Sequence, residues 1–243
     1  EKPLSLDLAD CRRVEDLAGA RPRLKVMIGY SRRFDPSYRD AHDKVRAGLI
    51  GKPFLVRSQN LDMNDPSGFF VRFAPKSGGI FLDCTVHDID LARWLLGNPD
   101  PVRVFATGVV AVHEGLREFG DVDNGVATCE FADGQMACFY ASRTMAHGHE
   151  TSTEIFGTRG RLAVGQNPRI NRVDISDANG MRNECTPTFY ERFEEAFLCA
   201  QNHFVDAVLD DFAPALTLRD ATEATRIALA LRESLQTRRV VEL

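Results

Sequence analysis

The sequence predicts an α+β fold: a broad, mainly antiparallel sheet with helices on one face, preceded by a helix–strand unit of the parallel α/β kind. Three observations predict it. A helix-length apolar run lies between Gly78-Gly79 and Gly97, with no internal Gly or Pro. Residues 102 to 176 read as short apolar and β-branched runs separated by glycine turns. The C-terminal part carries two long stretches with helical spacing of apolar residues.

Taken in order, Asp7 to Leu17 is expected to be a helix, with Cys11, Val14 and Leu17 near helical spacing and Pro22 stopping it. Leu24 to Tyr30 reads as a mostly buried strand. Pro36 opens a helix to about Ala47, closed by Gly48 and Gly51. Phe54 to Gln59 is the next expected strand. Asn64-Asp65-Pro66-Ser67-Gly68 is a loop, and a short irregular stretch leads on to the central helix. Val102 to Val112 then begins the strand-rich part. Gly125 to Phe131 and Gln135 to Arg143 flank Ala132-Asp133-Gly134, where Asp-Gly suits the positive φ of a hairpin turn. Thr153 to Phe156 and Arg161 to Val164 flank a second turn, and Arg172 to Ser176 adds a further strand. Small residues at Ala127, Cys129, Ala137 and Ala141 predict a sheet covered on both faces. Glu191 to Asp210 and Thr217 to Thr237 are expected helices, the second capped by Thr217 with Asp220 three positions on. Val240-Val241 is an expected terminal strand.

The 243 residues suffice for one large or two small domains, and a hydrophobic share of 44% supports an ordinary core. A net charge of -5 argues against nucleic acid as the main partner. No apolar run is long enough to cross a membrane, and no signal peptide is present. The six cysteines form no C-x-x-C pair. They are expected to be reduced and mostly buried, which points to a cytoplasmic setting.

Asp83 and His87 carry the first hint of chemistry. Four residues apart, they are expected on one helix face, where a carboxylate can orient an imidazole and favour its charged form. An arbitrary Asp-x-x-x-His is more often two polar residues on a wet face. Other motifs in the chain change that balance.

Glu1-Lys2-Pro3, the strand ending Gly29-Tyr30 with Arg32-Arg33-Phe34 behind it, Gly78-Gly79, and Asp83 with His87-Asp88 in order resemble the Gfo/Idh/MocA oxidoreductase family. Gly79-Ile80-Phe81-Leu82-Asp83, Asp121-Val122-Asp123 and Ser142-Arg143 resemble its myo-inositol 2-dehydrogenase branch most. The resemblance covers the whole chain. It implies a large open sheet and, at residues 1–32, the C-terminal remnant of a Rossmann domain that binds NAD or NADP. Residues 33–243 then form the substrate and oligomerisation domain. The G-x-G-x-x-G turn is not in the sequence, so the chain is expected to be a fragment without useful dehydrogenase activity alone.

The resemblance also implies roles. Lys2 would sit between nicotinamide and substrate and steady alkoxide charge, with Glu1 and Pro3 beside it on the cofactor side. His87 would be the acid–base residue of alcohol oxidation, with Asp83 at the same hydroxyl; whether His87 or Lys2 takes the proton first stays open. Asn64 and Asp65 would line the polyol pocket, or simply make a turn. His147 and His149 stand where inositol dehydrogenases often carry aromatic residues, and can still bond polyol hydroxyls. His147-x-His149 has no third ligand, so no metal is expected. Arg32 and Arg33 are expected to pin the two domains together. The implied activity is NAD(P)-dependent oxidation of a ring hydroxyl of a cyclic polyol or sugar by a homo-oligomer. The alternatives are a related sugar oxidoreductase and a non-catalytic ligand-sensing or assembly protein.

Overall fold

A computed structural model describes residues 1–243. Its centre is a seven-stranded sheet in the order β6-β5-β1-β4-β3-β2-β9, with β1 Pro53–Met63, β2 Pro101–Val109, β3 Asn124–Phe131, β4 Met136–Met145, β5 Glu150–Gly157, β6 Gly160–Val164 and β9 Val241–Glu242. Only β1 and β4 run parallel; the other neighbours are antiparallel. The short ribbon β7 Ile175–Asp177 and β8 Gly180–Arg182 stands apart.

The helices are α1 Leu8–Gly19, α2 Pro36–Arg46, α3 Phe69–Ser77, α4 Val86–Leu96, α5 Phe189–Leu209 and α6 Leu218–Thr237. Their starts follow local chemistry. Asp7 accepts from the backbone N–H groups of Ala9 and Asp10, and Asp35 accepts from those of Ser37 and Tyr38. Thr188–Glu191 and Thr217–Asp220 are full capping boxes. α4 and α6 lie against the sheet, and their apolar faces meet it in one core that includes Ile89, Ala92, Ile227 and Leu231. That burial is the main stabilising term.

Four expectations are corrected. Leu24 to Tyr30 forms no strand and joins no sheet, because no strand of the chain pairs with it; Leu24 is exposed. The stretch before the central helix is not irregular: it is α3, entered from Gly68 at φ 78°. The central helix is not uniform either, since Phe81–Thr85 is a π-helical turn leading into α4. Finally, the sheet is covered on one face only. Along β3, Gly125, Ala127, Cys129 and Phe131 are buried, whereas Val126 and Thr128 are exposed. The small residues serve close helix packing on the covered face. A Cβ on Gly125 would stand 3.1 Å from Phe81 Cζ and 3.3 Å from Ile80 Cγ2, so the π-helical turn can rest on β3 only at a glycine.

Two buried ion pairs tie α4 to the turn Ser31–Phe34. Arg32 Nη1 donates to Asp88 Oδ1 at 2.8 Å, and Arg32 Nη2 to Asn60 Oδ1 at 2.9 Å. Arg33 grips Asp90 with two bonds of 2.8 and 2.6 Å. Both arginines therefore hold the 31–34 turn to α4, and Arg32 also reaches β1.

Candidate functional site

The site forms where the chain start, the π-helical turn and one end of the sheet meet. Gly78 and Gly79, at φ 75° and 93°, turn the chain sharply into the helix. The first free N–H there, of Ile80, donates to Asp121 Oδ1 at 2.9 Å. Asp121 Oδ2 accepts from Arg143 Nη1 at 2.9 Å, and Arg143 Nη2 donates to Asp83 Oδ2 at 3.0 Å. Lys2 completes the row: its ammonium donates to the Asp83 backbone carbonyl and lies 3.3 Å from Asp83 Oδ1. Burial alone would raise the Asp83 carboxyl, but Lys2 and Arg143 outweigh it and hold the group below the usual carboxylate range. Asp83 is therefore an ionised clamp that fixes Lys2.

His87, one helical turn on, is partly buried and makes no bond to Asp83. Burial, then the charges of Lys2 and Arg32, push its imidazole well below the ordinary histidine range. The expectation that Asp83 favours an imidazolium is overturned, because Asp83 is spent on two cations and the charge His87 feels is positive. The ring packs edge-on to Tyr30 at 5.7 Å, and its Nδ1 is buried with no protein partner. A neutral imidazole beside a fixed ammonium can accept a proton from a hydroxyl while the ammonium steadies the oxygen left behind.

The other expected residues divide. His149 is buried, with Nδ1 2.9 Å from Asp62 Oδ1, and belongs to the cluster. Asn64 stands at the sheet end, just past β1: its backbone N–H bonds Met145 O at 2.9 Å and its side-chain oxygen is buried without a protein partner. Asp65 does not join. Its carboxylate accepts from Ser67 N–H at 2.7 Å in a surface turn, which holds it below the usual carboxylate range. His147 is exposed on the rim, 3.1 Å from Glu150. Glu1 is exposed beside Gly29, and Pro3 is partly buried.

Sequence reasoning assigned no role to Arg143, Asp62 and Tyr30. Arg143 had a signal, a cation inside an otherwise apolar strand. Asp62 had a weaker one, a carboxylate two positions before Asn64. Tyr30 had only its place at the end of the expected strand, in the Gly29-Tyr30 pair that carries part of the resemblance. Tyr30 Oη, Arg143 Nε and His149 Nε2 are, like His87 Nδ1 and Asn64 Oδ1, buried without protein partners. Such atoms are few in a folded protein and mark sites that bind polar ligands or water.

The profile of the "GFO/IDH/MocA C-terminal domain" matches residues 38–163. The chain is 34% identical over its whole length to the scyllo-inositol 2-dehydrogenase (NAD(+)) of Bacillus subtilis, of which it covers 69%. It is 35% identical, again over its whole length, to the myo-inositol 2-dehydrogenase of Thermotoga maritima, covering 71%. Its fold superposes with a TM-score of 0.94 on the scyllo-inositol dehydrogenase of Lactobacillus casei with bound NAD(H) and scyllo-inositol, at 35% identity, over 99% of this chain and 71% of that one. Likeness at this level, spanning the sheet, the π-helical turn and the cluster around Asp83, places the chain in the GFO/IDH/MocA family.

Proposed function

We propose that the protein carrying this chain oxidises one ring hydroxyl of a cyclic polyol of the inositol kind to a ketone, and that Lys2, Asp83 and His87 perform the proton chemistry. The observation that carries the reading is the buried, unpartnered Nδ1 of His87 one helical turn from the carboxylate that clamps the Lys2 ammonium. The names of the relatives, and the neighbour with NAD(H) bound, support NAD as the hydride acceptor. Hydride acceptance from carbon is the chemistry that NAD would supply when bound, and Glu1, Lys2 and Pro3 are the residues of this chain that would face it. The 243 residues contain no glycine-rich turn to cradle a pyrophosphate.

His87 accepts the hydroxyl proton as the carbon–hydrogen bond breaks. Lys2 donates to the oxygen: two of its three N–H groups are turned to Asp83, leaving one for the substrate. Asn64 and His149 bond the other hydroxyls. His147 and Asp65 are kept as rim residues at most. Residues 1–32 are read as part of a nucleotide-binding unit and 33–243 as the substrate unit, a division supported by the stretch from Leu24 to Tyr30, which pairs with no strand. The open sheet face supports a homo-oligomer, and six free thiols support a cytoplasmic setting. No helix is long and apolar enough to cross a membrane.

The test is NAD reduction by the full-length protein with scyllo- and myo-inositol. His87→Ala is expected to lower kcat by about 10²- to 10⁴-fold, the usual worth of a general base. Absence of NADH formation by the wild type across a panel of inositols and pyranoses would sink the reading.

A further inference from the structure

A second carboxylate–imidazole pair stands beside the Lys2–Asp83–His87 group. His149 Nδ1 lies 2.9 Å from Asp62 Oδ1. A carboxylate only accepts, so Nδ1 carries the proton. The ring is fixed on its other sides. Its edge contacts with Phe189 and Phe193 are at 6.3 and 6.4 Å, and its backbone N–H donates to Thr186 O at 2.8 Å. His149 is 2% exposed, and its Nε2 has no protein partner. Whenever the ring is neutral, Nδ1 keeps the proton it gives to Asp62 and Nε2 is a bare lone pair held in place.

Asp62 is also joined to the catalytic carboxylate. Cys84 Sγ lies 3.6 Å from Asp62 Oδ2 and 3.7 Å from Asp83 Oδ2. Burial, and then Asp83, push that thiol well up, so it stays protonated as a linker between the two acids. The nearby His147 has no such frame.

We infer that Asp62 is a positioning residue that holds His149 with Nε2 as hydrogen-bond acceptor for a substrate hydroxyl other than the one oxidised. This rests on the proposed function and adds a positioning residue to it.

Two measurements test it. In the 243-residue chain labelled with ¹⁵N-histidine, above pH 8, His149 is expected to show a protonated Nδ1 and a bare Nε2, with resonances assigned by their loss in His149→Gln. Asp62→Ala is expected to abolish that single tautomer. In the full-length protein with NAD, Asp62→Ala is expected to raise KM for scyllo- or myo-inositol about tenfold, the worth of one hydrogen bond, with kcat little changed. Asp62→Asn, which keeps an acceptor oxygen, should restore most of the affinity.

A protonated Nε2 in the wild type, or an unchanged KM in Asp62→Ala, overturns the inference while inositol oxidation stands. Equal loss of kcat and kcat/KM in Asp62→Ala also overturns it, by giving Asp62 a part in the chemistry. No inositol turnover by the wild type overturns both readings.

Discussion

His87 illustrates how one residue's chemistry is set by neighbours remote in sequence. Its proton affinity is lowered first by burial and then by Lys2, 85 positions away in the chain. Removing that charge has a definite sign. In Lys2→Met the His87 proton should bind more readily, so its titration in an NMR pH series moves up toward the ordinary histidine range. The wild-type value should lie clearly below it. Because the folded wild type binds this proton less readily than the unfolded chain, its contribution to stability is present above about pH 6.5 and is lost as pH falls through the depressed folded value. A His87 titration unmoved by Lys2→Met would separate the two groups and remove the basis of the proposed proton transfer.

The element that organises the rest is α4 with its π-helical entry. Ile89, Leu91, Ala92 and Leu95 are buried, and so are Asp88 and Asp90, which would be costly in a core without partners. Arg32 and Arg33 supply them from the 31–34 turn. Asp90→Ala removes one partner and leaves Arg33 buried with only a 3.4 Å contact to Asp220. It is expected to cost about 3–5 kcal/mol in urea unfolding. A loss under about 1 kcal/mol, typical of a surface ion pair, would show that this pair does not hold the turn to α4. The cost belongs to the helix's attachment, since the turn carries Arg32 toward His87 and Asn60.

On the scale of the whole molecule the uncovered sheet face is the main unspent surface. Phe105, Val109, Val126 and Met136 stand on it, between 40% and 60% exposed. Apolar side chains grouped on one face mark an association surface. The chain is expected to sediment as an oligomer, and Val126→Glu in the middle of that face should shift it toward monomer without loss of far-UV circular dichroism. A wild type that stays monomeric at tens of micromolar would refute this use of the face.

From α2 onward the sequence by itself determined most of the elements and their ends, α3, the π-helical turn and the β7–β8 ribbon excepted, because caps, Asp-Gly turns and apolar spacing act within a few residues. Asp35-Pro36, Thr217 with Asp220, and Ala132-Asp133-Gly134 each marked a boundary that the fold keeps. Order and spacing also singled out Lys2, Asp83 and His87, through a resemblance carried by the whole chain. Only the tertiary structure decided what those groups do to one another. Whether Asp83 serves His87 or Lys2, whether His147 or His149 turns inward, and whether Asp62 and Arg143 belong to the site all depend on contacts between residues far apart in the chain. The uncovered sheet face was hidden for the same reason: small residues say that something packs closely on one side, and only the packed chain shows which side is left bare.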